Sequence, residues 1–152
     1  MKDNWIIFII IVSLALFSPM ASLSEEKTLP PKLEDRAPMP SPNVDGMDEY
    51  HKQLVYAETN ITEGDYPSAL YNLALAEKLT SDDPLLYEMQ GICFDAMRDY
   101  KQALQRYAKA GALYLESGNI KKTRLVLAWM KSIDKSSAEV HALEDKLQTL
   151  AK

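Results

Sequence analysis

Residues 50–83 read YHKQLVYAETNITEGDYPSALYNLALAEKLTSDD, and residues 84–117 read PLLYEMQGICFDAMRDYKQALQRYAKAGALYLES. Laid one above the other, the two stretches match at an offset of 34 residues. Asp65, Tyr66, Ala69, Leu70 and Ala76 fall on Asp99, Tyr100, Ala103, Leu104 and Ala110, while Ala57 falls on Gly91 and Leu73 on Tyr107. A fixed period of this size marks a supersecondary unit that buries its apolar face only by stacking on its neighbours. Inside each unit apolar residues recur at steps of three and four. Leu86, Met89, Cys93 and Met97 form one such series, and Ala103, Tyr107, Ala110 and Tyr114 another. Asp83 ahead of Pro84 predicts a helix start, because the carboxylate can cap free amides and a proline in the first turn has no amide to leave unpaired. Two helices per unit follow.

A helix-turn-helix period of this length with these residues resembles the tetratricopeptide repeat. In the second unit the signature reads Tyr87-x2-Gln90-Gly91-x2-Phe94, then Ala103-x3-Tyr107, then Ala110; in the first it reads Gln53-x2-Tyr56-Ala57-x2-Asn60, Ala69-x3-Leu73 and Ala76. Small residues at the matched alanines and glycine let paired helices approach, and the large residues between them fill the gaps. Gln90 and Asn60 depart from the pattern, since the family prefers apolar or aromatic residues there. The resemblance implies an all-α fold, a short solenoid of three helix pairs occupying 46–152, with units near 50–83, 84–117 and 118–151.

In the third unit the pattern decays. Keeping the offset puts Leu125 at the Gly91 position and Ser137, His141 and Glu144 in place of the Ala, Tyr, Ala series. A competing register makes Gly118-Asn119-Ile120 the counterpart of Gly64-Asp65-Tyr66, which demands a merged helix. The constant offset is the expected one. The last helix, with Glu139, Asp145, Lys146 and Gln148 opposite its apolar stripe, suits a terminal cap with a polar outer face.

Two segments precede the repeats. Trp5 to Phe17, WIIFIIIVSLALF, follows a short positive start and leads to Pro19 and the small residues Ala21, Ser22 and Ser24. Residues 1–24 thus read as a secretory signal peptide, with an uncleaved anchor over 5–23 as the rival; a spanning helix needs about 20 residues. Either way the body is expected outside the cytoplasm, periplasmic or held at the inner membrane. Residues 25–45 carry five prolines and mixed charge, the composition of an extended linker.

Composition narrows the function. The chain has 152 residues, 47% hydrophobic and 26% charged, and a net charge of −5. It has material for a packed core, but not the basic surface that phosphate backbones demand, so nucleic acid is not expected as a partner. Cys93 is the one cysteine, read as a buried thiol, and His51 and His141 lie in different units, so neither a metal nor a cofactor is expected. No nucleophile–base pair or glycine-rich phosphate loop is present, and catalysis is not expected. Asn60-Ile61-Thr62 is a formal glycosylation sequon, but it lies inside a helix.

The resemblance implies a concave groove lined by the first helix of each pair, which takes a peptide or helix of another protein. Its positions fall on His51, Leu54, Glu58, Ile61 and Thr62, then on Leu85, Glu88, Ile92, Asp95 and Ala96, then on Asn119, Lys122, Val126, Trp129 and Met130. That set is mostly apolar with acidic points at Glu58, Glu88 and Asp95, suited to a ligand with apolar anchors and a basic residue. Trp129 is the expected anchor, against a reading of Trp129 and Val126 as plain core. The function expected is a non-catalytic interaction or assembly factor of the envelope, such as a scaffold in a secretion, pilus or outer-membrane machine. The alternative is a chaperone for a hydrophobic secretion substrate, against which the leader counts. Mass spectrometry of the mature protein is expected to find a chain that begins between Ala21 and Glu25; an intact Met1 would favour the anchor.

Overall fold

The structure is a computed structural model that describes residues 41–150; the expected leader and most of the expected linker fall outside them. Among the described residues there are six α-helices and no strands. They are α1 (Glu49–Glu63), α2 (Tyr66–Leu79), α3 (Pro84–Ala96), α4 (Tyr100–Glu116), α5 (Ile120–Asp134) and α6 (Ala138–Leu150). Each helix packs on the next in chain order, and α6 rests on α4 as well as α5. None of the described helices is long and apolar enough to cross a membrane.

Five of the six starts are capped by a short acidic or amide side chain, satisfying amides the helix cannot pair internally. Asp48 accepts from the His51 amide, Asp65 from Ser68, Asp83 from Leu85, Asp99 from Gln102 and Asn119 from Lys122. Pro67 and Pro84 sit in first turns, where a missing amide costs nothing.

Three of the connections are copies of one another. Gly64, Arg98 and Gly118 take left-handed φ values of 82°, 62° and 74°. The caps after them, Asp65, Asp99 and Asn119, share φ near −80° and ψ of 71°, 71° and 68°. In each the cap amide reaches back to a carbonyl of the preceding helix, at Asn60, Phe94 and Tyr114, over 2.8, 2.9 and 2.7 Å. This six-to-one bond defines the Schellman turn, which glycine enters without strain and Arg98 enters at a cost of about 1–2 kcal/mol.

The turn at Gly118 corrects the expected register of the third unit. Counting four, eight and eleven residues past each cap gives Ala69, Leu73, Ala76, then Ala103, Tyr107, Ala110, then Thr123, Leu127, Met130. All nine are buried. Seven residues before each left-handed residue stand Ala57, Gly91 and Gly111, again all buried. Helix α5 therefore has the register of α2 and α4. The second half of α4 has the register of α1 and α3, and α4 is the merged helix that this alignment requires. Leu125 and His141, which the constant offset would send inward, are exposed. The reason lies in the turn: the left-handed Gly118 followed by a capping Asn119 folds the chain back regardless of its distance from the previous repeat.

Burial of small residues controls helix separation. A Cβ on Gly91 would stand 2.5 Å from the Tyr107 ring, and one on Gly111 would stand 2.5 Å from a Leu143 methyl. Gly91→Ala forces a ring that is itself buried to move, at a cost of about 1–3 kcal/mol that outweighs the roughly 1 kcal/mol of helix propensity gained. Gly111→Ala meets the tip of a flexible leucine and is expected to be near neutral. Thermal melts should show Gly91→Ala lowered by several degrees and Gly111→Ala within about 2 °C of wild type; equal melting of all three would mean the α3–α4 approach is slack.

Candidate binding face between α3 and α5

Helices α3 and α5 both pack on α4 and hardly touch each other, so α4 floors the gap between them. Because consecutive helices run antiparallel, positions 88 to 95 of α3 face 114 to 107 of α4, and those face 122 to 129 of α5. At one end Tyr114 donates its hydroxyl to Glu88 Oε2 at 2.5 Å, and Lys122 Nζ reaches Glu88 Oε1 at 3.0 Å. Toward the other end the Tyr107 and Trp129 rings lie 5.7 Å apart with their planes tilted by 47°. Ile92 and Asp95 are half-buried along the α3 side of the gap, and Leu85 is 40% exposed near its start.

The expected groove residues divide under this geometry. Leu54, Val126 and Met130 are buried core and present no surface. The reason for the last two is the register of α5, which turns Thr123, Val126, Leu127 and Met130 inward together. Glu88 is also buried, at 6% exposure; its charge is spent on Tyr114 and Lys122, and it ties three helices instead of meeting a ligand. On α1, Ile61 packs half-buried against the core, and Glu58 and Thr62 are exposed. His51 is exposed and bound to Asp48 at 2.7 Å, beside a cleft at the start of α1. Ala96 and Asn119 are exposed at helix ends, Asn119 serving as a cap. Trp129 is half-buried, its ring tilted against that of Tyr107. The gap thus brings Ile92, Asp95 and Trp129 to one place, with Leu85 further along α3.

Sequence reasoning missed Tyr107 and Tyr114 as the floor. Their seven-residue separation was the available signal, since it puts both on one face of α4. It also missed the network on the other side of α3. There Glu77 accepts from Gln90 at 2.9 Å and from the Tyr87 hydroxyl at 3.2 Å, and pairs with Arg106 at 3.4 Å. Gln90, the departure from the family pattern, is buried to fill this role, although its Oε1 has no partner. Burial works to raise the Glu77 carboxyl, but the Gln90 amide, the Arg106 guanidinium and the Tyr87 hydroxyl outweigh it and hold it below the usual range.

Other chemistry is sparse. Cys93 is buried, and desolvation pushes its thiol up to about 11, so the nucleophilic thiolate is suppressed at neutral pH. No group of three His, Cys, Asp or Glu side chains among the described residues is placed to hold a metal ion. No protein-family model, curated protein or solved structure matches the chain.

Three phenols are displaced upward from their ordinary value of 10. For Tyr107 the cause is burial, then the charges of Asp95 and Glu88; for Tyr114 burial, then the hydrogen bond to Glu88; for Tyr50 burial, then its bond to Asp83. Each is kept protonated by the fold at a pH where the unfolded chain releases its proton. Stability from these groups is therefore complete below pH 10 and is lost as pH climbs beyond it. Urea midpoints measured between pH 8 and pH 11 are expected to fall on the alkaline side, and Tyr114→Phe to flatten that fall. A Tyr114→Phe profile as steep as wild type would remove Tyr114 from the account.

Proposed function

We propose that this protein is a non-catalytic interaction or assembly factor of the cell envelope. In this reading its helix pairs are tetratricopeptide-like, and it holds a segment of a partner polypeptide in the gap between α3 and α5. The observation that supports it is the gap itself. Two helices flank a third without closing on each other, with half-buried Trp129 and Ile92 and exposed Leu85 on the flanking helices. Apolar side chains on a floor of packed aromatics are what an interface anchor needs, and Trp is a frequent energetic centre of such contacts. Asp95 is the acid left at the gap once Glu88 is spent on Lys122. The ligand is then an amphipathic helix or extended segment with two or three apolar anchors and a basic residue opposite Asp95. The location in the envelope rests on the leader at residues 1–24.

Trp129→Ala is a poor probe, because it removes the ring packed on Tyr107 and destabilises the fold as well as any contact. A photo-crosslinkable side chain at Leu85, Ile92 or Asp95, activated in intact cells, is the better one. The expected result is one common adduct from these positions and none from Tyr71 or Gln105, which are exposed elsewhere on α2 and α4. Adducts of equal yield from all five positions, or none from the first three, would dismiss the gap as a binding face.

A further inference from the structure

Charge is segregated along this chain in a way its net value conceals. Between residues 41 and 83 there are nine acidic and two basic side chains, whereas between 120 and 135 there are five basic and one acidic. The first stretch builds α1, α2 and the loop that follows, and the second is α5. In packing order the two lie on opposite sides of α3 and α4, with no substantial contact between them, so they do not neutralise each other within one molecule.

Each charged region also has an exposed apolar centre. On α5, Lys121, Arg124, Ala128, Lys131 and Lys135 are exposed and recur at alternating steps of three and four, which places them on one stripe, with exposed Leu125 four residues past Lys121 at its side. Lys131 pairs with Glu144, whereas Lys121, Arg124 and Lys135 have no ion-pair partner among the described residues. Leu125 is 43% exposed in the middle. At the other end an open cleft of about 490 Å3 is lined by Asp48, Tyr50, His51, Leu79, Asp82 and Asp83. Asp48 and Asp83 are held in place by capping α1 and α3, and Tyr50 donates to Asp83 at 2.7 Å. Leu79 is 55% exposed beside them. A basic stripe around a leucine and an acidic cleft around a leucine are complementary in both charge and apolar content.

We propose that the α5 stripe is a docking surface for a second copy of this chain, which it meets through the acidic cleft at the start of α1. The two surfaces differ, so the contact is head-to-tail: an open assembly keeps one free stripe at one end and one free cleft at the other, and it continues as an open chain or closes as a ring. The stripe is distinct from the gap proposed above to hold a partner, and either can fail without the other. Exposed ion pairs are individually weak and are screened by salt, so the association is concentration-dependent and sensitive to ionic strength.

Sedimentation of the full chain in mild detergent, across a concentration series at low and high salt, tests this directly. The wild type is expected to grow beyond a monomer at low salt and to dissociate at high salt. Lys121→Glu with Arg124→Glu is expected to weaken association on the order of tenfold. Asp82→Lys, at an exposed site of the cleft that caps no helix, should do the same, and circular dichroism should confirm that both variants remain folded. Mixing the two variants is expected to restore association, since an unaltered cleft then meets an unaltered stripe. A wild type that stays monomeric throughout, or a Lys121→Glu, Arg124→Glu variant that associates as tightly as wild type, would overturn the proposal. So would a monomer whose flotation with anionic vesicles is lost on reversing Lys121 and Arg124, which would assign the stripe to a lipid surface.

Discussion

Close approach of antiparallel helices at a small residue seven positions before a left-handed turn is the constraint on which the rest of this structure depends. Ala57, Gly91 and Gly111 occupy that position, and Gly64, Arg98 and Gly118 make the turns. The Schellman bond sets the angle at which the chain returns; at Gly91 the small residue admits the returning helix, and at Gly111 it admits Leu143 of α6. At Gly91 the returning helix brings Tyr107 so close that no side chain fits between them. Tyr107 in turn carries Trp129 from the following helix. A single backbone device, used three times, aligns the buried residues of five helices.

Polar groups inside this packing act as fasteners between helices. Glu88 joins α3 to Tyr114 on α4 and to Lys122 on α5, while Glu77 joins α2 to Gln90 on α3 and Arg106 on α4. A buried carboxylate is costly unless it is hydrogen-bonded or paired; buried Glu88 is both, and half-buried Glu77 is likewise. They hold α3 from opposite sides. Toward α5 the spacing is bridged by Lys122 and Glu88 at one end and by the tilted Tyr107 and Trp129 rings further along. The same economy limits the charge available to a ligand, because a carboxylate that braces the scaffold no longer faces solvent.

Much of the fold was legible without coordinates. The offset between 50–83 and 84–117, Asp83 ahead of Pro84 and the three- and four-residue steps pointed to two helices in each of the first two units, and helices Glu49–Glu63, Tyr66–Leu79, Pro84–Ala96 and Tyr100–Glu116 occupy those stretches. The third unit was misaligned, because a period counted along the chain ranked above a local turn signal. Gly118-Asn119-Ile120 was visible as a copy of Gly64-Asp65-Tyr66. That alignment requires one helix to serve two pairs, and α4, with Ala103, Tyr107 and Ala110 buried and Gly111 buried on its second half, does so. The candidate site suffered from the same error. Leu85 is exposed and Ile92 and Asp95 are half-buried, whereas Val126 and Met130 are core, since one slip in register carries a whole helix face from outside to inside.

The linear order of residues determined that this chain is helical, where its helices begin, and that its acidic and basic side chains gather in separate stretches. Those properties are local: capping, propensity and turn geometry act within about one helical turn, and charge can be counted. Tertiary packing decided which carboxylates are spent on other helices, which aromatics become floor and which apolar side chains stay exposed. Such outcomes depend on neighbours that lie some 26 or 34 residues away, as Tyr114 and Lys122 are from Glu88. No pattern confined to one helix encodes them.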